Sequence, residues 1–236
     1  MAGLLALVPG VSPAGAAGEV SKQGTLGNGY FFVATDGGIF NYGDSEFFGS
    51  TGDIALNKPI VGAETTPTGE GYWLVASDGG IFTFGDAKFL GSTGDIVLNK
   101  PIVAMVATPT GNGYWLFATD GGVFTFGDAK FFGSTGNLTL NKPIVGADAT
   151  PTGLGYYLVA SDGGIFTFGD AEFFGSAGGI KLNQPIVGMA ALDDGDGYYL
   201  VATDGGIFSY GRTPRTRRSS VLPAAARSTS RSWAWT

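Results

Sequence analysis

One dipeptide sets the architecture of this 236-residue chain. Gly-Tyr occurs at Gly29, Gly71, Gly113, Gly155 and Gly197, each 42 residues after the one before, with no insertion or deletion between copies. One unit reads "GYWLVASDGGIFTFGDAKFLGSTGDIVLNKPIVAMVATPTGN". A period of this size marks an array of supersecondary units, each too small to bury its own apolar faces and so stacked on its neighbours.

Within the unit, "YWLVAS" (72–77) and "IFTF" (81–84) are rich in β-branched and aromatic residues and are joined through Asp78, Gly79 and Gly80. Asp-Gly between such runs is a strong hairpin signal and predicts a primed turn, because glycine reaches positive φ without steric cost. A third strand is expected at "KFLGS" (88–92) and a fourth at "PIVAMVAT" (101–108), whose proline suits a strand's first position. Alternation puts Tyr72, Leu74 and Ala76 on one face and Trp73, Val75 and Ser77 on the other, so both faces are largely apolar. A four-stranded antiparallel sheet covered on both sides and repeated every 42 residues is the blade of a β-propeller. The fold class is therefore all-β, a β-propeller of about five four-stranded blades. A parallel β-helix is the rival, but its coils lack recurrent Asp-Gly hairpins. A helical solenoid is excluded by the glycines and the period-two pattern.

The stretch "GYWLVASDGGIFTFGDAKFLGSTG…LNKPIV" resembles the tandem repeats of secreted actinobacterial proteins, some of which carry them beside cell-wall-degrading or esterase-like domains. The resemblance covers residues 29–211 and implies an extracellular location and a propeller-like array. In repeat length and blade count the architecture is also similar to five-bladed tachylectin-type lectins, without a shared binding motif.

The segments outside the repeat read differently. Residues 1–28 combine a short apolar run and small residues with "GEVSKQGT" (18–25), which reads as a leader or signal-peptide remnant followed by a degenerate strand. All six arginines, and none of the twenty Asp and Glu, lie beyond Gly211; up to that point seven lysines face twenty acids, a formal charge of −13. Back-translated one frame over, the last nineteen residues are compatible at fifteen of eighteen positions with "FFGSAGGIKLNQPIVGMA" (173–190). The expectation is that 212–236 is repeat sequence translated out of frame, not a basic interaction tail. With both closing strands damaged, the array should have an imperfect seam or edges open to pairing with another chain.

The chain contains no cysteine and no histidine, which removes disulfides, Ser-His-Asp and Cys-His nucleophiles and the common zinc sites. Near-identical acids in every unit lack the differing environments that separate the pKa values of an acid and a base. The expectation is a protein that is not an enzyme and uses no cofactor or metal. An acidic body disfavours nucleic acid, and no apolar run is long enough for a membrane span.

The residues that repeat are the candidate binding groups. Asp36, Asp78, Asp120, Asp162 and Asp204 begin the hairpin turns, and Asn57, Asn99, Asn141 and Asn183 sit in "LNKP" or "LNQP". Antiparallel topology should place the "SDGG" and "LNKP" loops on one rim, with "PTGxG" and "GDA" on the other. Asp44, Asp86, Asp128 and Asp170, in the "GDA" turns, fit a capping role. Trp73 and Trp115 follow the repeat tyrosine, where an aromatic either packs between sheets or stacks on a sugar. The functional expectation is multivalent binding of cell-wall polysaccharide or other glycans by the Asp/Asn rim, on a secreted or cell-surface protein. The alternatives are a structural spacer without a small ligand, and a targeting appendage of a cell-wall enzyme.

Overall fold

The computed structural model describes residues 29–211. The leader, its degenerate strand and the arginine-rich tail lie outside the described residues. Fourteen strands and no helix make up the described part, arranged as four three-stranded sheets and one two-stranded sheet. The first sheet pairs β1 (Tyr30–Val33) with β2 (Ile39–Tyr42). The next joins β3 (Ile60–Thr65), β4 (Gly71–Ala76) and β5 (Ile81–Gly85) in that order, all antiparallel. The same pattern recurs in β6 (Ile102–Ala107), β7 (Gly113–Ala118) and β8 (Val123–Gly127), in β9 (Ile144–Ala149), β10 (Gly155–Ala160) and β11 (Ile165–Gly169), and in β12 (Ile186–Ala191), β13 (Gly197–Ala202) and β14 (Ile207–Gly211).

The sheet is offset from the sequence repeat. The "PIV" strand that ends one repeat opens the sheet completed by the hairpin of the next, so Ala63 of β3 pairs with Leu74 of β4. Strands β3, β6, β9 and β12 pack on one another in succession as the inner strands of the array.

The four-stranded expectation is corrected here. "KFLGS" and its equivalents form no strand, because their backbone groups bond outside any ladder. The Tyr114 hydroxyl accepts from the Leu90 amide at 3.1 Å and donates to the Gly91 carbonyl at 2.5 Å. Tyr72, Tyr156 and Tyr198 hold the corresponding residues in the same way. This linker is thus fastened onto the following sheet by a side chain. The Phe126 ring lies where a side chain on Gly91 would project, so the position accepts only glycine.

The hairpin also differs from the primed turn. Among the described residues no non-glycine has positive φ, and Gly79 alone of Ser77, Asp78 and Gly79 is left-handed (φ 78°). Ala76 and Gly80 close a three-residue connection, the Ala76 amide donating to the Gly80 carbonyl at 2.8 Å. This is the next commonest hairpin geometry, in which glycine sits at the single left-handed position.

The two apolar faces fall as alternation predicts. Tyr72, Leu74 and Ala76 pack back on Phe31, Val33 and Ile60, while Trp73 and Val75 pack forward on Ile102, Tyr114 and Leu116. The core is therefore four such junctions in series and not one central body. Each is also pinned by one backbone bond from the next sheet's first strand residue, Ile102 N–H to the Ser77 carbonyl at 2.9 Å.

Candidate binding clefts on one rim

The two rims form as expected. Ser77 donates its amide to the Pro59 carbonyl at 2.9 Å, which ties the "LNKP" loop to the "SDGG" hairpin at one end of the sheet. At the other end Thr68 donates its hydroxyl to Asp86 Oδ2 at 2.6 Å, tying "PTGxG" to "GDA".

Each recurrent aspartate of the hairpin has one oxygen in use. Oδ1 of Asp36, Asp78, Asp120, Asp162 and Asp204 accepts the amide of the glycine two residues on, at 2.9 to 3.0 Å. The turn role is met by that single oxygen, and Asp78, Asp120 and Asp162 are half-exposed. Asn57, Asn99, Asn141 and Asn183 are all exposed. In the fourth sheet Asn141 and Asp162 line a common cleft of about 340 Å³ together with Lys142, Leu138, Phe166 and Gly178. Sequence position puts Asn57, Lys58, Asp78 and Phe82, and likewise Asn99, Lys100, Asp120 and Phe124, at the same places in their own sheets. The fourth copy has Asn183, Gln184, Asp204 and Phe208. Asp36 stands at the equivalent place in the first sheet.

Trp73 and Trp115 are not brought to this rim. Both are fully buried, and their indole N–H groups donate to the carbonyls of Lys88 and Lys130 at 2.8 and 2.7 Å. A ring enclosed on both faces offers a ligand nothing to stack on, so these two residues belong to packing. The aspartates of the second series also act structurally. Asp128 accepts the hydroxyls of Thr108 and Thr110, and Asp170 those of Thr150 and Thr152, which locks one hairpin onto the next turn.

Two features escape a reading by repeats. The lysine beside Asn57, Asn99 and Asn141 is one, and Lys142 adds a cation to the cleft. The second is a funnel of about 280 Å³ at the opposite end, where Thr66, Thr108 and Thr150 converge with Glu64, Asp148 and Asp193. Asp148 is buried; its Oδ1 accepts the Ala149 amide and its Oδ2 the Ala191 amide of the next sheet, both at 2.8 Å. Glu64, Val106, Asp148 and Ala190 occupy one repeat position, so the signal available in the sequence was variation where neighbours hold constant.

Among the described residues no three His, Cys, Asp or Glu side chains are placed to hold a metal, and no helix is long and apolar enough to cross a membrane.

No family model and no curated protein matches the chain. Among solved structures it is similar to the crystal structure of the Cps50 (Swd1) β-propeller domain of Myceliophteria thermophila, with a TM-score of 0.53 over 81% of this chain. The fold is a β-propeller. The chain spans 64% of that structure, and at 9% identity the propeller likeness bears on the fold alone.

Proposed function

We propose that this propeller is an extracellular, non-catalytic module that binds cell-wall polysaccharide or related glycans through clefts repeated along one rim, each of the five sheets serving as one blade. The observation that carries the reading is the composition of the cleft. An amide that both donates and accepts, a carboxylate oxygen not used by its turn and an ammonium group surround Phe166, which is half-exposed. Sugars present hydroxyls in a ring around apolar C–H faces, and such a set matches both. Recurrence lets weak sites act together, because engagement of one raises the effective concentration at the next. The resemblance of the repeat to those of secreted actinobacterial proteins supports the extracellular setting. The lack of histidine and cysteine supports a role other than catalysis.

The test is binding to insoluble cell-wall polysaccharide and to a glycan array. Asp78→Asn, Asp120→Asn, Asp162→Asn and Asp204→Asn keep the Oδ1 acceptor of the turn while removing charge; with Asn57→Ala, Asn99→Ala, Asn141→Ala and Asn183→Ala they should abolish retention while unfolding stays cooperative. Disabling one cleft alone should weaken avidity by about tenfold. A spacer that binds no small ligand is the second reading, favoured by the uniformity of the four junctions. It prevails if the intact protein is retained by no polysaccharide.

A further inference from the structure

The four junctions between blades share one aromatic contact. Phe31 meets Tyr72, Trp73 meets Tyr114, Trp115 meets Tyr156 and Tyr157 meets Tyr198, with ring centroids 5.1, 6.0, 5.8 and 5.2 Å apart. In each, the residue after one blade's repeat tyrosine packs at a tilt on the repeat tyrosine of the next. Two half-junctions remain. The forward face of the last blade presents Tyr199, Val201 and Ile207, and the backward face of the first presents Tyr30, Phe32, Phe40 and Tyr42.

Both halves are open. Tyr30 is 42% exposed where Tyr72 is 1%, and Ile207 is 56% exposed. Tyr199 and Val201 are partly exposed where their counterparts Tyr157 and Val159 are buried. Among the described residues the first and last sheets make no contact. The aromatic rings that make the internal junctions are scarce in the outer segments of the sequence. Residues 1–28 contain no aromatic ring, and 212–236 has none before Trp233.

We propose that the two faces are halves of a fifth junction made between copies of this chain, with Tyr199 of one copy packing on Tyr30 of another. The surfaces are complementary in the same sense as the four internal junctions, and the large aromatics they expose are the residues that carry interface energy. The contact is heterologous, head to tail, and so propagates into a closed ring or a filament. It pairs sheet faces and leaves strand edges out. It is independent of glycan binding.

Sedimentation of the intact 236-residue protein across a concentration series tests this. The wild type should associate progressively. Tyr30→Lys and Tyr199→Lys should each weaken self-association by at least about tenfold. Because each keeps one intact half, their equimolar mixture should form a species of two chains. As a check that does not rest on disruptive variants, Tyr30→Cys and Tyr199→Cys placed in separate chains should cross-link to each other under mild oxidation, and the absence of native cysteine keeps the readout clean. A wild type that stays monomeric overturns the proposal, as does association that survives both lysine variants or a mixture that forms no two-chain species.

Discussion

The repeat tyrosine joins packing, polarity and pH response in one side chain. Tyr114 is fully buried against Trp73 and Phe126, yet its hydroxyl both accepts from the Leu90 amide and donates to the Gly91 carbonyl. Phenylalanine there would keep the ring contacts and leave an N–H and a C=O without partners. Tyr114→Phe should therefore lower unfolding free energy by about 1–3 kcal/mol in denaturant titrations, with the sheet content unchanged. Burial holds the phenols of Tyr72, Tyr114, Tyr156 and Tyr198 above their ordinary value, against a smaller opposing effect of their backbone hydrogen bonds. The folded chain thus keeps protons that the unfolded chain releases above about pH 10. Stability from this source is full below that pH and falls as pH rises through the folded-state values. Alkaline unfolding should be cooperative and steep, and measurably shallower in Tyr114→Phe.

At the scale of the element, what could be read from sequence was what depends on neighbouring residues. The two strands of each hairpin, their apolar faces and the "PIV" strand follow from alternation and turn residues, and they appear at Ile81–Gly85, Gly71–Ala76 and Ile102–Ala107. "KFLGS" reads as a strand on the same grounds, yet the tyrosine that holds it stands 24 residues downstream, at Tyr114 for Leu90. Local pattern carries no information about such a partner. The hairpin turn was mistaken in type for a related reason. Thr93 lies over Gly79, its amide and hydroxyl donating to the carbonyls of Gly79 and Asp78, so the linker and the turn are shaped together. Gly79→Ala would place a side chain at positive φ and into Thr93. It should cost well over 1 kcal/mol, and Thr93→Ala, already present as Ala177 in the fourth unit, should relieve part of it. A double-mutant cycle measured by denaturant unfolding reads that coupling directly. Of the candidate site, the asparagines and the hairpin aspartates were legible because they recur; the buried placement of Trp73 and Trp115 was set by the neighbouring sheet and could only be weighed.

For the whole molecule, the serial arrangement of junctions decides how stability is distributed. Among the described residues every sheet touches only its neighbours, through β1 on β3, β3 on β6, β6 on β9 and β9 on β12, so the stability of this part is a sum of sheet and junction contributions. One place breaks the uniformity: Asp148 reaches across the junction from β9 to the Ala191 amide of β12, where the equivalent position of β6 carries Val106. Asp148→Val would restore the regular pattern but leave the buried Ala191 amide and the half-buried Ala149 amide without their carboxylate acceptor, and should lower stability by about 1–3 kcal/mol, most of it from Ala191. Deleting one complete internal repeat, residues 71–112, tests additivity without stranding anything. The cut falls between equivalent positions, so Gly113 follows Glu70 as Gly71 does, and Phe31 meets Tyr114 in place of Tyr72. If junctions are equivalent, the shortened chain should unfold cooperatively, lose one junction's share of stability and show a denaturant m value reduced in proportion to the surface removed. Collapse of the remaining sheets would instead mean that an individual junction matters more than the series, and the Asp148 bridge would be the first place to look for it.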